Sequence, residues 1–160
     1  MPPLNPDVAI LHAQRADEDG NVQIWGLTGA QREAAFASTR VIVTVEEIVS
    51  RNVVRADPNR TAVPGLAVSA VCPAPYGAHP SYAQGYYDRD NEFYIEWDGI
   101  ARDEARVQEW LETWVRSLPS RAAYIERLGL DRLRHLLPTP HLSGAVNYGR
   151  FDMVVAPLRT

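Results

Sequence analysis

The 160-residue chain has a formal net charge of −4 and a sequence pI of about 5.5, with 46% hydrophobic and 22% charged residues. That length supports one domain with a sizeable core, and the mild acidity removes any electrostatic reason to bind nucleic acid or an anionic membrane. All sixteen basic residues are Arg, which excludes a Lys Schiff base and a phosphate-loop Lys.

The start, MPPLNPDVAILHAQ, has neither the basic head nor the long apolar run of a signal peptide. No stretch approaches the roughly 18 apolar residues of a membrane span. The single cysteine, Cys72, cannot close an internal disulfide, which fits a reducing cytoplasm.

In chain order, Val8 to Ala13 (VAILHA) is a short, nearly continuous apolar run, the pattern of a strand buried on both faces of a parallel sheet. Gly20-Asn21 suits a tight turn, and Asn21 to Gly26 reads as a second short strand or part of a loop. Thr28 to Ser38 predicts a helix with a small alanine face. Arg40 to Val45 is the strongest predicted strand, with five consecutive β-branched residues. Strand, helix and strand in this order give an α/β fold class. Thr44 and Glu47 match the spacing of a capping box, which predicts a helix starting where that strand ends. Arg51 to Pro64 reads as loop and Leu66 to Val71 as a third strand. Three prolines and a glycine make Cys72 to Pro80 rigid and irregular.

From Tyr82 the pattern turns helical. Residues 91–118 carry Val107, Trp110, Leu111, Trp114, Val115 and Leu118 at helical spacing, and Pro119 ends the run. Residues 120–137 predict another amphipathic helix, interrupted near Gly129. The tail, 138–160, ends in an apolar segment, Phe151 to Ala156, that suits a strand. No linker is rich enough to split domains, so the reading is one unit, strand-rich over 6–80 and helical over 82–137.

In open α/β sheets, ligands gather beyond the carboxyl ends of the strands. Glu46 and Glu47 sit near such an end and suit a base or a nucleophile. The plainer reading gives Glu47 a capping role and Glu46 a local ion pair. His12 fits either a core histidine or a ligand contact, and Arg15 either an anion contact or an ion pair. Asp17 suits a turn. Gly77, Ala78 and His79 lie in the rigid loop, where small residues allow close approach of a ligand or partner, and Tyr82, Gln84, Tyr86 and Tyr87 follow. The four histidines, His12, His79, His135 and His141, have no metal-ligand spacing, and Cys72 has no evident base, so no metal and no Cys nucleophile is expected.

The string PDVAILHAQRADEDGNVQIWGLTGAQREAAFASTRVIVTVEEIV resembles the later half of the A (α) subunit of family I coenzyme A-transferases, nearest the glutaconate and 3-oxoacid branches. The likeness continues through NVVRADPNRTAVPG and PYGAHPSYAQGYYDRDNEFYIEWD, and covers about Pro6 to Trp114. It implies a NagB/RpiA-like α/β fold with an open, mostly parallel sheet and flanking helices. It also implies a B (β) subunit partner, often in a heterotetramer, and transfer of coenzyme A between carboxylic acids, with no permanently bound cofactor. In the family a glutamate attacks the acyl-CoA thioester. That glutamate belongs to the B subunit, in a motif this chain does not show, so the role is not transferred to Glu46 or Glu47. Their places at strand ends and in the rigid loop, read with this family, make His12, Arg15, Gly77, Ala78, His79 and Gln84 the expected lining of the CoA or acyl site. The family's α subunits also carry a further N-terminal half with a glycine-rich segment, so an incomplete domain is expected, inactive alone. Some relatives with this architecture open rings of CoA thioesters in steroid breakdown. A truncated, non-catalytic interaction module is a third expectation.

Overall fold

Five strands alternate with short helices over the first half of the chain in the computed structural model, which describes residues 4–138. The predicted tail, including His141 and the Phe151 to Ala156 segment, lies outside those residues. The chain divides into two compact units, Met1–Ala78 and His79–Thr160. The boundary between them falls in the proline-rich loop, which has none of the composition of a flexible linker.

In the first unit, β1 (Val8–Asp17), β2 (Val22–Gln23), α1 (Gln31–Ala37), β3 (Arg40–Val49), α2 (Arg51–Ala56), β4 (Thr61–Val63) and β5 (Ala70–Pro73) follow in order. The sheet order is β4-β2-β1-β3-β5. β1, β3 and β5 run parallel, with Ile10 opposite Ile42 and Ile42 opposite Ala70. β2 and β4 run antiparallel on the other side of β1, so the sheet is mixed and the parallel part is confined to its β1-β3-β5 side. The α1 crossover lets β3 lie parallel beside β1, as a connection of this kind requires.

The alternation of side chains across a strand decides the core. Leu11, Ala13, Val41, Val43 and Val45 are buried together with Val22, Val63 and Ala35 of α1. The small Ala34 and Ala35 let the short α1 sit close on the sheet. Val8 and Ile10 point the other way and are 43% and 72% exposed, so β1 is not buried on both faces as its apolar run predicts. That run is continuous because one face is core and the other carries apolar residues that this unit leaves open.

Several local expectations shift. β3 continues through Glu46 and Glu47 to Val49, because β1 supplies ladder partners that far, with Arg15 opposite Glu47. The capping box is thus not used, and the helix that follows, α2, starts at Arg51. β4 and α2 occupy the stretch read as loop. Gly65 to Ala67 form a single 3-10 turn with Leu66 92% exposed, so β5 begins at Ala70 rather than Leu66. Pro73 ends β5 at the sheet edge, where a missing N–H costs no ladder bond.

The second unit is helical: α3 (Asn91–Ile100), α4 (Glu104–Leu111, running into a π-helical turn over Glu112–Arg116), α5 (Arg121–Leu128) and α6 (Leu130–His135). Residues 82–90 form turns and an isolated bridge between Ala83 and Tyr87, not the helix their pattern predicts. Asp90 and Asp103 cap α3 and α4 with their carboxylates, and Ser120 caps α5 with its hydroxyl. Gly129, at φ +82°, separates α5 from α6, a backbone conformation that glycine adopts without strain. The packing is aromatic. Phe93 meets Trp110 and Trp114 edge-on at 6.0 and 5.2 Å, and Trp97 meets Trp110 at 4.8 Å.

Candidate functional site

Glu46 lies on the face of the sheet opposite the core, one residue past the β3–β5 pairing. Its side chain is only 4% exposed. Two consecutive backbone amides point at it: the Tyr76 N–H donates to Oε2 (2.7 Å) and the Gly77 N–H to Oε1 (3.2 Å). His12 Nε2 stands 2.6 Å from Oε1. A carboxylate held by three donors is satisfied despite burial.

The same register brings His12 beside Thr44. The Thr44 hydroxyl has one proton. It donates to the Leu11 carbonyl oxygen (3.1 Å), which leaves a lone pair to accept from His12 Nδ1 (2.9 Å). His12 Nε2 and Glu46 Oε1 then hold one proton between them, a short charge-assisted contact.

The turn seated on this pair has two backbone peculiarities. Tyr76 has φ +58°, a left-handed conformation that a tyrosine adopts at a cost of about 1–3 kcal/mol. A side chain at Gly77 would land on the His12 ring and within 2.7 Å of the Ala74 carbonyl oxygen. The glycine therefore permits a close approach of the backbone to His12 of the same unit. Burial, and then the nearby Glu46 carboxylate, push the Tyr76 phenol above its ordinary value, so it stays neutral.

The other expected residues of this unit behave differently. Glu47 is exposed and points to the opposite side of β3 from Glu46. Arg15 donates through Nε to Gln23 Oε1 (2.8 Å) and lies 5.3 Å from the Trp25 ring, whose centre is 4.8 Å from the Arg60 guanidinium. Asp17 holds the turn, accepting from the N–H groups of Asp19 and Asn21 and from the Asn21 amide. Asn21 Oδ1 in turn accepts from the Gly65 N–H. Cys72 is an exposed free thiol. A groove of about 350 Å³ runs past Asp17, Asp19, Ile48 and Val71, away from the His12 and Glu46 pair.

In the second unit, His79 is fully enclosed: its side chain is 0% exposed. Its Nδ1 lies 2.7 Å from the Tyr124 hydroxyl and its Nε2 2.9 Å from Asp90 Oδ2. A neutral ring accepting from Tyr124 and donating to Asp90 satisfies both contacts. Arg132 grips the same carboxylate with Nε and Nη2 at 2.6 and 3.1 Å, and the Phe93 N–H adds a fourth donor. Burial alone would raise the Asp90 carboxyl. The hydrogen bonds from His79, Arg132 and Phe93 outweigh it and hold the group well below the usual carboxylate range. Burial pushes the Tyr124 phenol up, in keeping with its role as donor. His79 is thus an internal anchor of its own unit, with no ring atom left for a ligand. Gln84 is half-buried, and its Oε1 has no hydrogen bond among the described residues.

The sequence reading missed Thr44 as a partner of His12, and Asp90, Tyr124 and Arg132 as partners of His79. Only Asp90 left a signal, as an Asp directly before a helical run. Among the described residues no group of three His, Cys, Asp or Glu is placed to hold a metal, and no helix is long and apolar enough to cross a membrane.

Residues 1–74 match the family model described as Coenzyme A transferase. The chain is 52% identical over 116 residues to the A subunit of the 3-oxoadipate CoA-transferase of Pseudomonas knackmussii, covering 72% of this chain and 40% of that protein. It belongs to the coenzyme A transferase family. The A subunit of the glutaconate CoA-transferase of Acidaminococcus fermentans is 39% identical over 152 residues, covering 95% of this chain and 48% of that protein. A crystal structure of the glutaconate coenzyme A-transferase from that organism superimposes with a TM-score of 0.81 at 41% identity, over 85% of this chain and 43% of the other. The α/β fold is therefore that of a coenzyme A transferase subunit. The cholesterol ring-cleaving hydrolase IpdA subunit of Rhodococcus jostii is 31% identical over 126 residues, 72% of this chain and 40% of that protein. The chain spans less than half the length of these relatives.

Proposed function

We propose that this chain contributes part of the A subunit of an acyl-CoA:carboxylate CoA-transferase. It shapes the acyl and CoA site while a B subunit supplies the attacking glutamate. The observation that carries this reading is the state of Glu46. Its carboxylate is buried and both oxygens are taken by donors, so attack on a thioester would require breaking three hydrogen bonds. A carboxylate so placed supports a site and leaves the chemistry to another chain. Homology to the A subunits of two CoA-transferases supports the same division of labour.

In this scheme the partner's glutamate attacks the acyl-CoA carbonyl. The C–S bond breaks, CoA thiolate leaves, and an acyl–glutamyl anhydride remains. The thiolate then attacks the glutamyl carbonyl, releasing the carboxylic acid and leaving an enzyme-bound CoA thioester, ready for the acceptor acid. From the first unit, His12, Arg15, Gly77 and Ala78 line the site. CoA and its thioesters are substrates, no cofactor stays bound, the assembly is a heterotetramer with the B subunit, and it works in the cytoplasm.

The test is to co-express the chain with a B-type subunit, purify the complex and follow CoA transfer from small acyl-CoA donors to carboxylate acceptors. Transfer by the complex, and none by either chain alone, is expected. No transfer from any donor by an intact complex would overturn the proposal, and a chain that ignores the B subunit in size-exclusion runs would point to a non-catalytic interaction module. The IpdA relative favours a second reading, hydrolytic opening of a ring in a CoA-thioester substrate. That reaction adds water across a ring bond, keeps the thioester and needs no acceptor acid, so following ring cleavage with the acceptor omitted separates the two.

A further inference from the structure

We infer that Glu46 and His12 are positioning residues: together they hold the peptide N–H groups of Tyr76 and Gly77, and so set the shape of the turn over residues 75–78 where it faces the CoA thioester. The inference rests on the site proposed above and assigns a role to two residues that do not react.

Three observations converge on one turn. First, both oxygens of a carboxylate only 4% exposed receive its successive amides. Second, Tyr76 stays left-handed at φ +58°, a strain that persists only where the surroundings over-determine the backbone. Third, Gly77 passes so near the His12 ring that any side chain there would strike it. His12 is itself fixed by Thr44, which is fixed by the Leu11 carbonyl of β1. The chain of contacts therefore runs from the sheet backbone to the turn without a flexible link.

A stability role alone does not account for this arrangement. Buried charges can often be replaced by apolar groups of similar volume at little cost, so burying one is a poor way to gain stability. What a carboxylate does that a leucine cannot is to orient two backbone amides at once. The geometry of the turn is the property it serves.

The experiment uses the full 160-residue chain in complex with its B-type partner. Hydrogen exchange at the Tyr76 and Gly77 amides is read alongside kcat and KM for the acyl-CoA. In Glu46→Gln, one carboxylate acceptor becomes a donor, and exchange at both amides should quicken roughly tenfold or more, as expected for losing charge-assisted bonds. In the same variant kcat should fall by roughly 100-fold through misplacement of the turn, with KM changing less. His12→Gln keeps an amide donor toward Glu46 and should recover part of the loss seen in His12→Ala. Gly77→Ala, which displaces the turn without touching the carboxylate, should reproduce the kinetic defect. Because that variant leaves Glu46 intact, it also decides the matter if Glu46→Gln fails to fold. Unchanged exchange in Glu46→Gln, or normal kcat in Gly77→Ala, would overturn the inference. A wild-type complex with no activity would instead take down the function proposed above, and the exchange measurement would still read the anchoring.

Discussion

One buried carboxylate of the first unit, Glu46, takes two of its donors from the backbone of a turn and one from His12. One of the second unit, Asp90, takes a bidentate Arg132, the His79 ring and a single amide at the start of α3. The first arrangement shapes a loop, whereas the second ties helices together: His79 lies ahead of α3, Tyr124 sits on α5 and Arg132 on α6. Glu46 therefore engages a single turn, and Asp90 joins three separate segments of its unit.

The largest effect should come from Asp90→Ala, which takes the shared acceptor from Arg132, His79 and the Phe93 N–H and leaves Arg132 only its longer contact with Glu96, 3.7 Å. A loss of about 3–5 kcal/mol is expected for breaking a buried pair from one side. Three of the four tryptophans, Trp97, Trp110 and Trp114, belong to this unit, so tryptophan emission during urea unfolding reads it. An unchanged midpoint would erase the contrast with Glu46. The pH dependence sharpens it. The folded Asp90 carboxyl lies below its unfolded value of about 4, so its contribution is complete above that pH and fades as the pH falls below it. Asp90→Asn should flatten this acid limb of the stability profile.

Leu11→Ala, in the core of the first unit, should cost roughly 2–5 kcal/mol, read by circular dichroism of the sheet. Its effect on tryptophan emission should be small if the units unfold separately. Gly77→Ala should cost about 1–3 kcal/mol, the usual range for forcing atoms into filled space. Its stability loss should be modest beside its kinetic effect, the reverse of Asp90→Ala. The smallest change is Asp103→Ala, which removes the cap that accepts from the Ala105 and Arg106 amides and should cost about 1 kcal/mol by thermal melting.

Much of this was legible from residue types alone. Five β-branched residues in a row make β3 a strand wherever it sits, because their side chains crowd a helix and suit a pleated surface. The apolar spacing of 91–118 and the glycine at 129 announce helices and their interruption. The resemblance carried by about Pro6 to Trp114 points to the family without any geometry. Within the site, the sequence pointed to His12, Glu46 and Gly77 separately, each with a plain alternative beside it.

Tertiary structure alone decided their partnership. His12 and Glu46 are 34 positions apart, and only the parallel register of β1 on β3 makes them neighbours. The same register kept Glu47 in a strand against its capping signal, since ladder bonds from β1 outweigh a local cap. His79 and Arg132 likewise meet across 53 positions, through a carboxylate that local pattern marked only as a helix start. Local sequence sets backbone preference, because propensity acts within a few residues. Which polar groups share a proton or a charge depends on long-range packing, and no local pattern encodes that.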